Sequence, residues 1–299
     1  MNEQSGQVGP SILCLGRLYC DVLFTGLADL PSLGREIFAD DVTITPGGGA
    51  FITAAYPAAM GRPTGLLARL GLDPLSLALE APLAESGVDL GLLERSAEAG
   101  PQLTVAIVRD GDRAFLSRRA SGARPSTFAQ ALGAPSSRHL HIAEAATLFE
   151  MPDAVSAAKE RGLTVSLDPS WDDTVIHHAD FLALCRGADV FLPNVEEAKA
   201  ITSLADIDRA LDALTAVFPV VALKLGADGA ILAEGSSRIR LPAPQVEVVD
   251  TTGAGDAFNA GFLDAWLRGG SPEASLTAAI ACGSRSVQAV GGSTALRAG

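Results

Sequence analysis

Positive charge is scarce in this sequence. Its 299 residues include 22 Lys and Arg against 35 Asp and Glu, which gives a formal net charge of −13 at pH 7. An acidic surface repels nucleic-acid phosphates and anionic lipid headgroups, so we expect neither a nucleic-acid nor a membrane partner. The few cations matter most where a small anionic ligand binds, because a locally positive pocket is compatible with a negative whole.

Cysteine is also rare, and the four residues are scattered. Cys14, Cys20, Cys185 and Cys282 form no CxxC pair and have no histidine cluster nearby, which leaves zinc and redox motifs without support. Isolated thiols fit a reducing cytoplasm. The amino terminus has no basic segment followed by an apolar one, and no later stretch is apolar for long enough to span a bilayer. We therefore expect a cytoplasmic protein.

What the sequence does contain is a regular alternation of short apolar runs and amphipathic segments. The runs have the length and the β-branched content of buried strands, and they lie at 12–15, 165–167, 190–192 and 220–225. This alternation predicts an α/β protein with a central, mostly parallel sheet flanked by helices, in one domain over residues 1–299. In such sheets ligands bind beyond the carboxyl ends of the strands.

Two segments interrupt the alternation. Residues 17–46 lack a convincing helix and contain three strand-like pieces, at 22–24, 36–38 and 42–45. Residues 102–119 contain two extended runs around Asp110-Gly111, a typical hairpin turn. We predict that both segments are insertions that form a small β-sheet lid on the main domain.

The most informative stretch is VVDTTGAGDAFNAGF at 248–262, an apolar strand followed by a small-residue turn and a helix. Gly253, Ala254 and Gly255 let the backbone approach an anion, and the new helix offers unpaired N–H groups and the positive end of its dipole. Asp256, in the first helical turn, is placed to accept a proton from an alcohol that attacks a phosphorus held there. The alternative is an ordinary helix cap.

The run DTTGAGDAFNAGF resembles the second signature of the ribokinase-like (PfkB-type) carbohydrate kinases. The resemblance implies that Gly253 and Gly255 form the anion hole for the transferred phosphoryl group and that Asp256 is the catalytic base. It extends over residues 16–293 and implies a ribokinase-like three-layer fold with a β-sheet lid. Competing designs are absent, because the sequence has neither GxxxxGK[ST] nor GxGxxG.

Further motifs fit the nucleotide end. Asn194 and Glu197, in PNVEEA, resemble the NxxE motif of this family, which implies that they organise Mg²⁺ and nucleotide phosphates. The segment KLGADG at 224–229 resembles a nucleotide-contacting segment. The residues assigned to ATP on these grounds are Asn194, Lys224, Gly226, Gly229, Thr251 and Thr252. The alternatives are a capped helix with an acidic first turn and a plain turn at Asp228-Gly229.

The resemblance also suggests ions at the loop of residues 250–255, which we call the phosphate loop. Glu197 and Asp250 are the candidate metal ligands. Because members of this family frequently respond to K⁺ near the loop, Asp250 and Thr252 are candidates for a monovalent ion site in addition to Mg²⁺.

The acceptor end departs from the family pattern. The segment PGGGAFITAA at 46–55 resembles the first signature, in which a glycine pair, here Gly47-Gly48, precedes a helix and touches the sugar. The family usually has Asn at the position of Ile52, and an isoleucine side chain cannot hydrogen-bond a hydroxyl. We therefore expect an acceptor with a less polar face there, and poor use of ribose.

Three carboxylates complete the candidate acceptor site. Asp21 has the family's early position for bonding sugar hydroxyls, although a turn-capping role is the alternative. Glu144 and Asp168 each follow a predicted strand. The family often continues the latter as DxNxR, but residues 168–172 read DPSWD and lack both Asn and Arg. Arg118 and Arg119 are either solvated or hold an acidic group of the acceptor.

The resemblance implies a phosphotransferase with an alcohol acceptor. It would transfer the γ-phosphoryl group of ATP to a hydroxyl of a small carbohydrate, a sugar or a sugar acid, with Mg²⁺ bridging the phosphates. The expected partners are this small molecule and a second copy of the chain, joined through the lid. Two alternatives remain: a nucleoside or vitamin kinase of the same superfamily, and a ligand-binding relative without turnover.

Overall fold

A computed structural model of the chain describes residues 11–109 and 112–296. The strands are, in chain order, β1 (Ile12–Leu15), β2 (Tyr19–Thr25), β3 (Asp41–Gly47), β4 (Thr64–Leu67), β5 (Arg69–Leu70), β6 (Glu94–Arg95), β7 (Leu103–Arg109), β8 (Asp112–Arg118), β9 (His139–Ile142), β10 (Thr164–Leu167), β11 (Val190–Phe191), β12 (Val220–Lys224), β13 (Ala230–Glu234) and β14 (Ser237–Leu241). The helices are α1 (Gly49–Ala59), α2 (Pro74–Leu77), α3 (Glu80–Ala84), α4 (Phe128–Leu132), α5 (Ala146–Glu150), α6 (Ala154–Glu160), α7 (Asp173–Ile176), α8 (Phe181–Cys185), α9 (Val195–Thr202), α10 (Ile207–Thr215), α11 (Ala254–Leu267) and α12 (Pro272–Ser286).

The large sheet has the strand order β14-β13-β12-β11-β10-β9-β1-β4. The neighbouring pairs from β12 to β4 are parallel, whereas β12 with β13 and β13 with β14 are antiparallel. Each of the four predicted apolar runs matches one of these strands, β1, β10, β11 or β12, to within one residue. The predicted α/β class with a mostly parallel sheet is therefore confirmed.

The helices cover both faces of this sheet, because successive residues of a strand point to opposite sides. On one face Leu13, Leu140 and Val165 pack with side chains of α4, α5, α6, α8, α9 and α10. On the other face Cys14 belongs to the cluster around α1, and Leu192 belongs to the cluster around α11 and α12. The order helix, sheet, helix gives the three layers.

The lid is a separate sheet with the strand order β3-β2-β7-β8. It uses residues of the two segments predicted as insertions, and β7 and β8 form the expected antiparallel pair. The turn at Asp110-Gly111 lies outside the described residues. The predicted strand at 36–38 is wrong, since this segment has no regular structure and leaves Phe38 79% exposed. These residues precede β3, which begins only at Asp41, and they pair with no strand in the described part of the chain.

The carboxyl ends of the central strands bring charged residues to one edge of the sheet. Arg17 follows β1, Glu144 follows β9, Asp168 follows β10, and Lys224 ends β12. This edge is where an open α/β sheet binds its ligands. In residues 11–109 and 112–296, no helix has both the length and the apolar character needed to cross a membrane.

Candidate active site

The phosphate loop leads directly into α11. Gly253 caps the helix with a φ of 73°, a left-handed conformation that glycine adopts without strain. A Cβ at Gly253 would stand 2.6 Å from Cα of Gly292, so no larger residue fits there. A Cβ at Gly255 would lie 3.4 Å from Nζ of Lys224, which shows that an ammonium group stands beside the start of the helix. Helix dipole and ammonium both favour an anion at this point.

Asp250 fastens the loop to the carboxyl-terminal segment. Its Oδ1 accepts hydrogen bonds from the backbone N–H of Thr252 at 2.8 Å and from the Thr252 hydroxyl at 2.7 Å. Its Oδ2 accepts from the backbone N–H of Gly291 at 2.8 Å. These bonds fix the approach to α11. An ion at Asp250 would have to share oxygens that already accept these bonds.

A buried polar cluster lies below the loop. Nζ of Lys224 donates to Oδ2 of Asp168 at 2.6 Å and to Oδ1 of Asn259 at 3.2 Å. The Asn259 amide also donates to Oδ2 of Asp168, at 2.5 Å. All three side chains are buried or nearly so, and a buried pair of this kind holds its geometry because neither partner has water as an alternative. The cluster fixes the ammonium position relative to α11.

The carboxylate of Asp256 is uncommitted, which means that no donor among the described residues bonds it. The backbone carbonyl of Asp256 accepts from the Thr53 hydroxyl. Burial chiefly, and then the negative charge of Asp168, raise its pKa to about 7 against the opposing effect of Lys224. A carboxylate with a pKa near the working pH is well matched to accept a proton from an alcohol.

Three consecutive glycines let site side chains approach the backbone. A Cβ at Gly47 would fall 1.7 Å from Oδ2 of Asp21, and one at Gly49 would fall 2.7 Å from Oδ1 of Asp256. Between them, a Cβ at Gly48 would meet the backbone oxygen of Arg17 at 2.3 Å. The glycine tract therefore holds Asp21 and Asp256 near one another on its surface.

Glu144 lies at the same place, and we call Asp21, Gly47, Gly48, Glu144 and Asp256 the acceptor end, after the role that the sequence predicts for them. Oε1 of Glu144 accepts from the backbone N–H of Arg17 and from the Thr147 hydroxyl, both at 3.2 Å. Burial raises the pKa of Glu144 above its usual value, although Arg17 opposes the shift. Burial, with the charge of Asp250, raises the pKa of Asp21 to about 7.

Arg17 connects the acceptor end to the lid. Its Nη1 donates to Oε1 of Gln102 at 3.3 Å and to the backbone oxygen of Ser121 at 2.7 Å, residues that flank the hairpin β7 and β8. Its Nη2 contacts Oε1 of Glu150 at 2.5 Å. Sequence reasoning missed Arg17, even though it lies only two residues after a predicted strand.

Arg118 and Arg119 separate at the end of β8. Arg118 donates to the backbone oxygen of Pro101. Nη1 of Arg119 lies 2.6 Å from Oδ2 of Asp172, and its guanidinium is also close to the Tyr19 hydroxyl. The Tyr19 ring would be 3.1 Å from a Cβ at Gly48, so Arg119 borders the acceptor end.

Asn194 and Glu197 form a reciprocal capping box at the start of α9. The Asn194 side chain accepts from the Glu197 N–H at 2.9 Å, and Oε2 of Glu197 accepts from the Asn194 N–H at 2.7 Å. The predicted capped helix is therefore present. Burial, followed by the charge of Asp168, raises the pKa of Glu197 to about 7 while Lys224 opposes the shift.

The donor set fits a magnesium ion that is held mainly by phosphates and water. Within the described ranges no three His, Cys, Asp or Glu side chains are grouped to hold a metal ion. Mg²⁺ typically takes only one or two carboxylates in sites that hold nucleotide phosphates. Glu197, buried beside Asp168 and Lys224, supplies a carboxylate of that kind.

A cleft of about 630 Å³ opens on the far side of the loop. Its polar end includes Lys224, Gly226, Gly229, Thr251 and Gly255, and its apolar wall is built by Val246, Val248, Phe258, Ile280 and Val287. Size and lining suit a nucleotide, with phosphates at the loop and the base against the apolar wall. Thr252 and Asn194 do not line this cleft.

Ile52 does not line the cleft of about 630 Å³ either. The side chain is 3% exposed, and its Cδ1 would be 3.0 Å from a Cβ at Gly253 and 2.5 Å from one at Gly292. It therefore packs under the phosphate loop.

Solved kinases have the same fold. Ribokinase of Arabidopsis thaliana, complexed with ribose and ATP, superposes with a TM-score of 0.82 at 24% identity, covering 96% of this chain and 95% of that one. The nucleoside kinase of Methanocaldococcus jannaschii superposes with a TM-score of 0.76 at 21% identity, over 95% and 93% of the two chains. The chain thus has the ribokinase-like fold, as predicted.

Sequence relatives are sugar kinases of different kinds. The ATP-dependent ribose-1-phosphate kinase of Halopiger xanaduensis is 30% identical over 281 residues, covering 91% of this chain and 90% of its own. The 2-dehydro-3-deoxygluconokinase of Bacillus subtilis is 30% identical over 78% of both chains, and a fructokinase of Escherichia coli is 29% identical over 73% and 76%. The pfkB family carbohydrate kinase profile matches residues 12–298. The chain belongs to the pfkB family of carbohydrate kinases.

Proposed function

We propose that this chain transfers the γ-phosphoryl group of ATP to a hydroxyl of a small carbohydrate, with Asp256 as the general base. The acceptor oxygen forms a bond to the γ-phosphorus, and the bond from that phosphorus to the bridging oxygen of ADP breaks. The acceptor proton passes to the carboxylate of Asp256. The backbone of Gly253, Ala254 and Gly255 at the start of α11 binds the transferred group.

The single observation that carries this proposal is the uncommitted carboxylate of Asp256 in the first turn of α11. It lies beside the helix start that attracts an anion, with its pKa raised to about 7 by burial. Neighbouring carboxylates that accept hydrogen bonds, such as Asp250, have partners that a base would have to give up. A carboxylate that accepts no other hydrogen bond can accept one from the acceptor hydroxyl without first breaking a bond.

Other residues orient the nucleotide. Lys224, positioned by Asp168 and Asn259, supplies positive charge at the loop, and Thr251, Gly226 and Gly229 line the part of the cleft where the phosphates would lie. Mg²⁺, when bound, neutralises phosphate charge and orients the γ-phosphoryl group. Glu197 is the residue that would hold it, directly or through water. A monovalent ion at Asp250 and Thr252 stays a prediction.

The relatives suggest three kinds of acceptor for this chain. Their names refer to an uncharged sugar, a sugar acid and a sugar phosphate, at nearly equal identity. The acceptor end offers Asp21 and Glu144 to bind hydroxyl groups. The predicted alternative of a nucleoside acceptor uses the same base and belongs in the same assay.

The test is acceptor-dependent ADP formation by the wild-type chain with MgATP. The acceptors are fructose, ribose, 2-dehydro-3-deoxygluconate, ribose 1-phosphate and adenosine. The proposal expects at least one carbohydrate to raise ADP release far above the rate without acceptor. ADP release that no acceptor increases would contradict it, and release with adenosine alone would support the nucleoside alternative.

We also propose that the lid joins two copies of the chain. One face of the lid sheet is apolar across all four strands, since the cross-strand register aligns two rows, Ile44-Val22-Val105-Leu116 and Val42-Phe24-Ile107-Ala114. Leu116 is 73% exposed, and the others are exposed or half-buried. An exposed apolar sheet face favours association, and a second copy of the chain related by a two-fold axis would cover it with the same face.

A further inference from the structure

The cations around the acceptor end are all committed to carboxylates. Arg17 pairs with Glu150 at 2.5 Å, and Lys224 pairs with Asp168 at 2.6 Å. Arg119 pairs with Asp172 at 2.6 Å. Meanwhile Asp21 and Asp256 have no pairing cation among the residues that the structure describes. The acceptor end therefore carries excess negative charge.

Arg119 is the cation of these three that a ligand can reach. Its side chain is 44% exposed, against 7% for Arg17 and 12% for Lys224. It lies beside Tyr19 at the edge of the acceptor end, where an acidic group of a bound acceptor could form an ion pair. Whether Arg119 is available to such a group depends on Asp172.

We propose that Asp172 sets the acceptor specificity, because its ion pair with Arg119 neutralises this cation and so favours uncharged sugars over acceptors that carry a carboxylate or a phosphate. This inference rests on the proposed function. The relatives named for the three acceptor classes are nearly equally identical to this chain, so the charge at Arg119 is needed to distinguish the classes.

The geometry explains how Asp172 keeps Arg119. Its Oδ1 caps α7 by accepting from the N–H groups of Thr174 and Val175, which leaves Oδ2 directed at the guanidinium. Burial works against ionisation, but the bonds from Thr174 and Arg119 lower the pKa of Asp172 below its usual value. Asp172 is thus held charged and in place.

An acidic acceptor would meet two obstacles here. Its acidic group would have to displace Asp172 from Arg119. It would also bring a second negative charge close to Glu144, which is near enough to Arg119 for the guanidinium to lower its pKa. Juxtaposed like charges suppress the wrong partner in a binding site. Residues 168–172 read DPSWD, so the charge at position 172 is negative where DxNxR, a continuation often found in the family, would have Arg.

The first experiment measures kcat/KM of the wild-type chain with fructose, ribose, 2-dehydro-3-deoxygluconate and ribose 1-phosphate. We expect an uncharged sugar to be preferred by at least about tenfold over both acidic acceptors. A wild type that prefers the carboxylate or the phosphate would overturn the inference while leaving the proposed kinase function intact. No turnover with any of the four would count against the proposed function instead.

The second experiment changes the charge alone. Asp172→Asn keeps the oxygen that caps α7, since Asn is an equally good cap, and releases Arg119. The ratio of kcat/KM for the acidic to the uncharged acceptors should rise at least about tenfold, mainly through a lower KM, because Asp172 does not touch the reacting atoms. Should Asp172→Asn fail to fold in a thermal melt, Asp172→Ser removes the same charge and retains a cap.

Two controls separate this effect from a general change in charge. Asp173→Asn removes the same charge one residue away, where the side chain is 84% exposed, and should leave the ratio unchanged. In the double variant Arg119→Gln with Asp172→Asn the gain should disappear, since it requires the released guanidinium. An unchanged ratio in the folded Asp172 variants, or a gain that survives in the double variant, would refute the role of Asp172.

Discussion

Oδ1 of Asp256 lies so close to the backbone of Gly49 that a Cβ at position 49 would stand 2.7 Å from it. Gly49 begins α1, and Asp256 lies in the first turn of α11, so the carboxylate that we propose as the base lies where two helices start. The contact depends on the missing side chain.

Gly49→Ala should therefore displace the carboxylate of Asp256. The backbone of α1 should stay helical, because alanine is favoured in a helix. We expect kcat to fall by about 10- to 100-fold, the usual effect of a displacement near 1 Å. Gly133→Ala is the control, since a Cβ there would lie 3.4 Å from the nearest side-chain atom. Wild-type turnover in Gly49→Ala would separate this contact from catalysis.

The pH dependence should follow the carboxylate of Asp256. Its pKa is raised from 3.8 to about 7, chiefly by burial, so the carboxyl is protonated below this pH and cannot act as a base. We expect kcat/KM to rise with pH up to about 7 and then to level. The pKa of Asp21 is also raised to about 7, so Asp21→Asn should make the acidic limb less steep. A flat profile between about pH 6 and about pH 8 would argue against Asp256 as the titrating base.

Glu197→Gln should raise the Mg²⁺ concentration needed for half-maximal activity. Glutamine still closes the capping box with Asn194, so the helix start is kept and only the negative charge is lost. Glu196→Gln is the matched control, because this neighbour is 75% exposed and faces away from the cluster. Identical Mg²⁺ titrations for both variants would assign Glu197 to helix capping alone.

Much of the fold and part of the site could be predicted from the sequence, because local patterns encode them. The strand runs at 12–15 and 220–225 are short and apolar, and the loop before Asp256 is one continuous motif. Pairings between distant segments leave no such pattern. Arg119 with Asp172 and Arg17 with Glu150 join residues that meet only after the sheet assembles.

Two single positions show the same limit. The family's Asn predicts that position 52 faces the acceptor, but the Ile52 side chain packs against Gly253 and Gly292. Asn259 lies inside the motif DTTGAGDAFNAGF, which does not indicate that its side chain bonds both Asp168 and Lys224. In each case the direction of a side chain decides the role, and a motif does not specify direction.

Association through the lid should depend on its apolar face. Leu116→Asp places a charge on that face, on the edge strand β8, and should convert a dimer, of twice the 30.6 kDa chain mass, to a monomer in sedimentation equilibrium. Leu77→Asp changes a comparably exposed leucine on α2 and should leave the mass unchanged. A wild type that sediments as a monomer at all concentrations would refute the dimer.

The most direct test of the account is turnover by Asp256→Asn. Asparagine keeps the shape of the side chain but cannot accept the proton, so kcat should fall by about 10²- to 10⁴-fold. MgATP at about 100 times its dissociation constant should still stabilise the variant by about 2.7 kcal/mol, seen as an upward shift of the thermal melt. Asp208→Asn, an exposed aspartate in the first turn of α10, should turn over as the wild type does. Near-normal turnover in Asp256→Asn would contradict the proposal that Asp256 is the catalytic base.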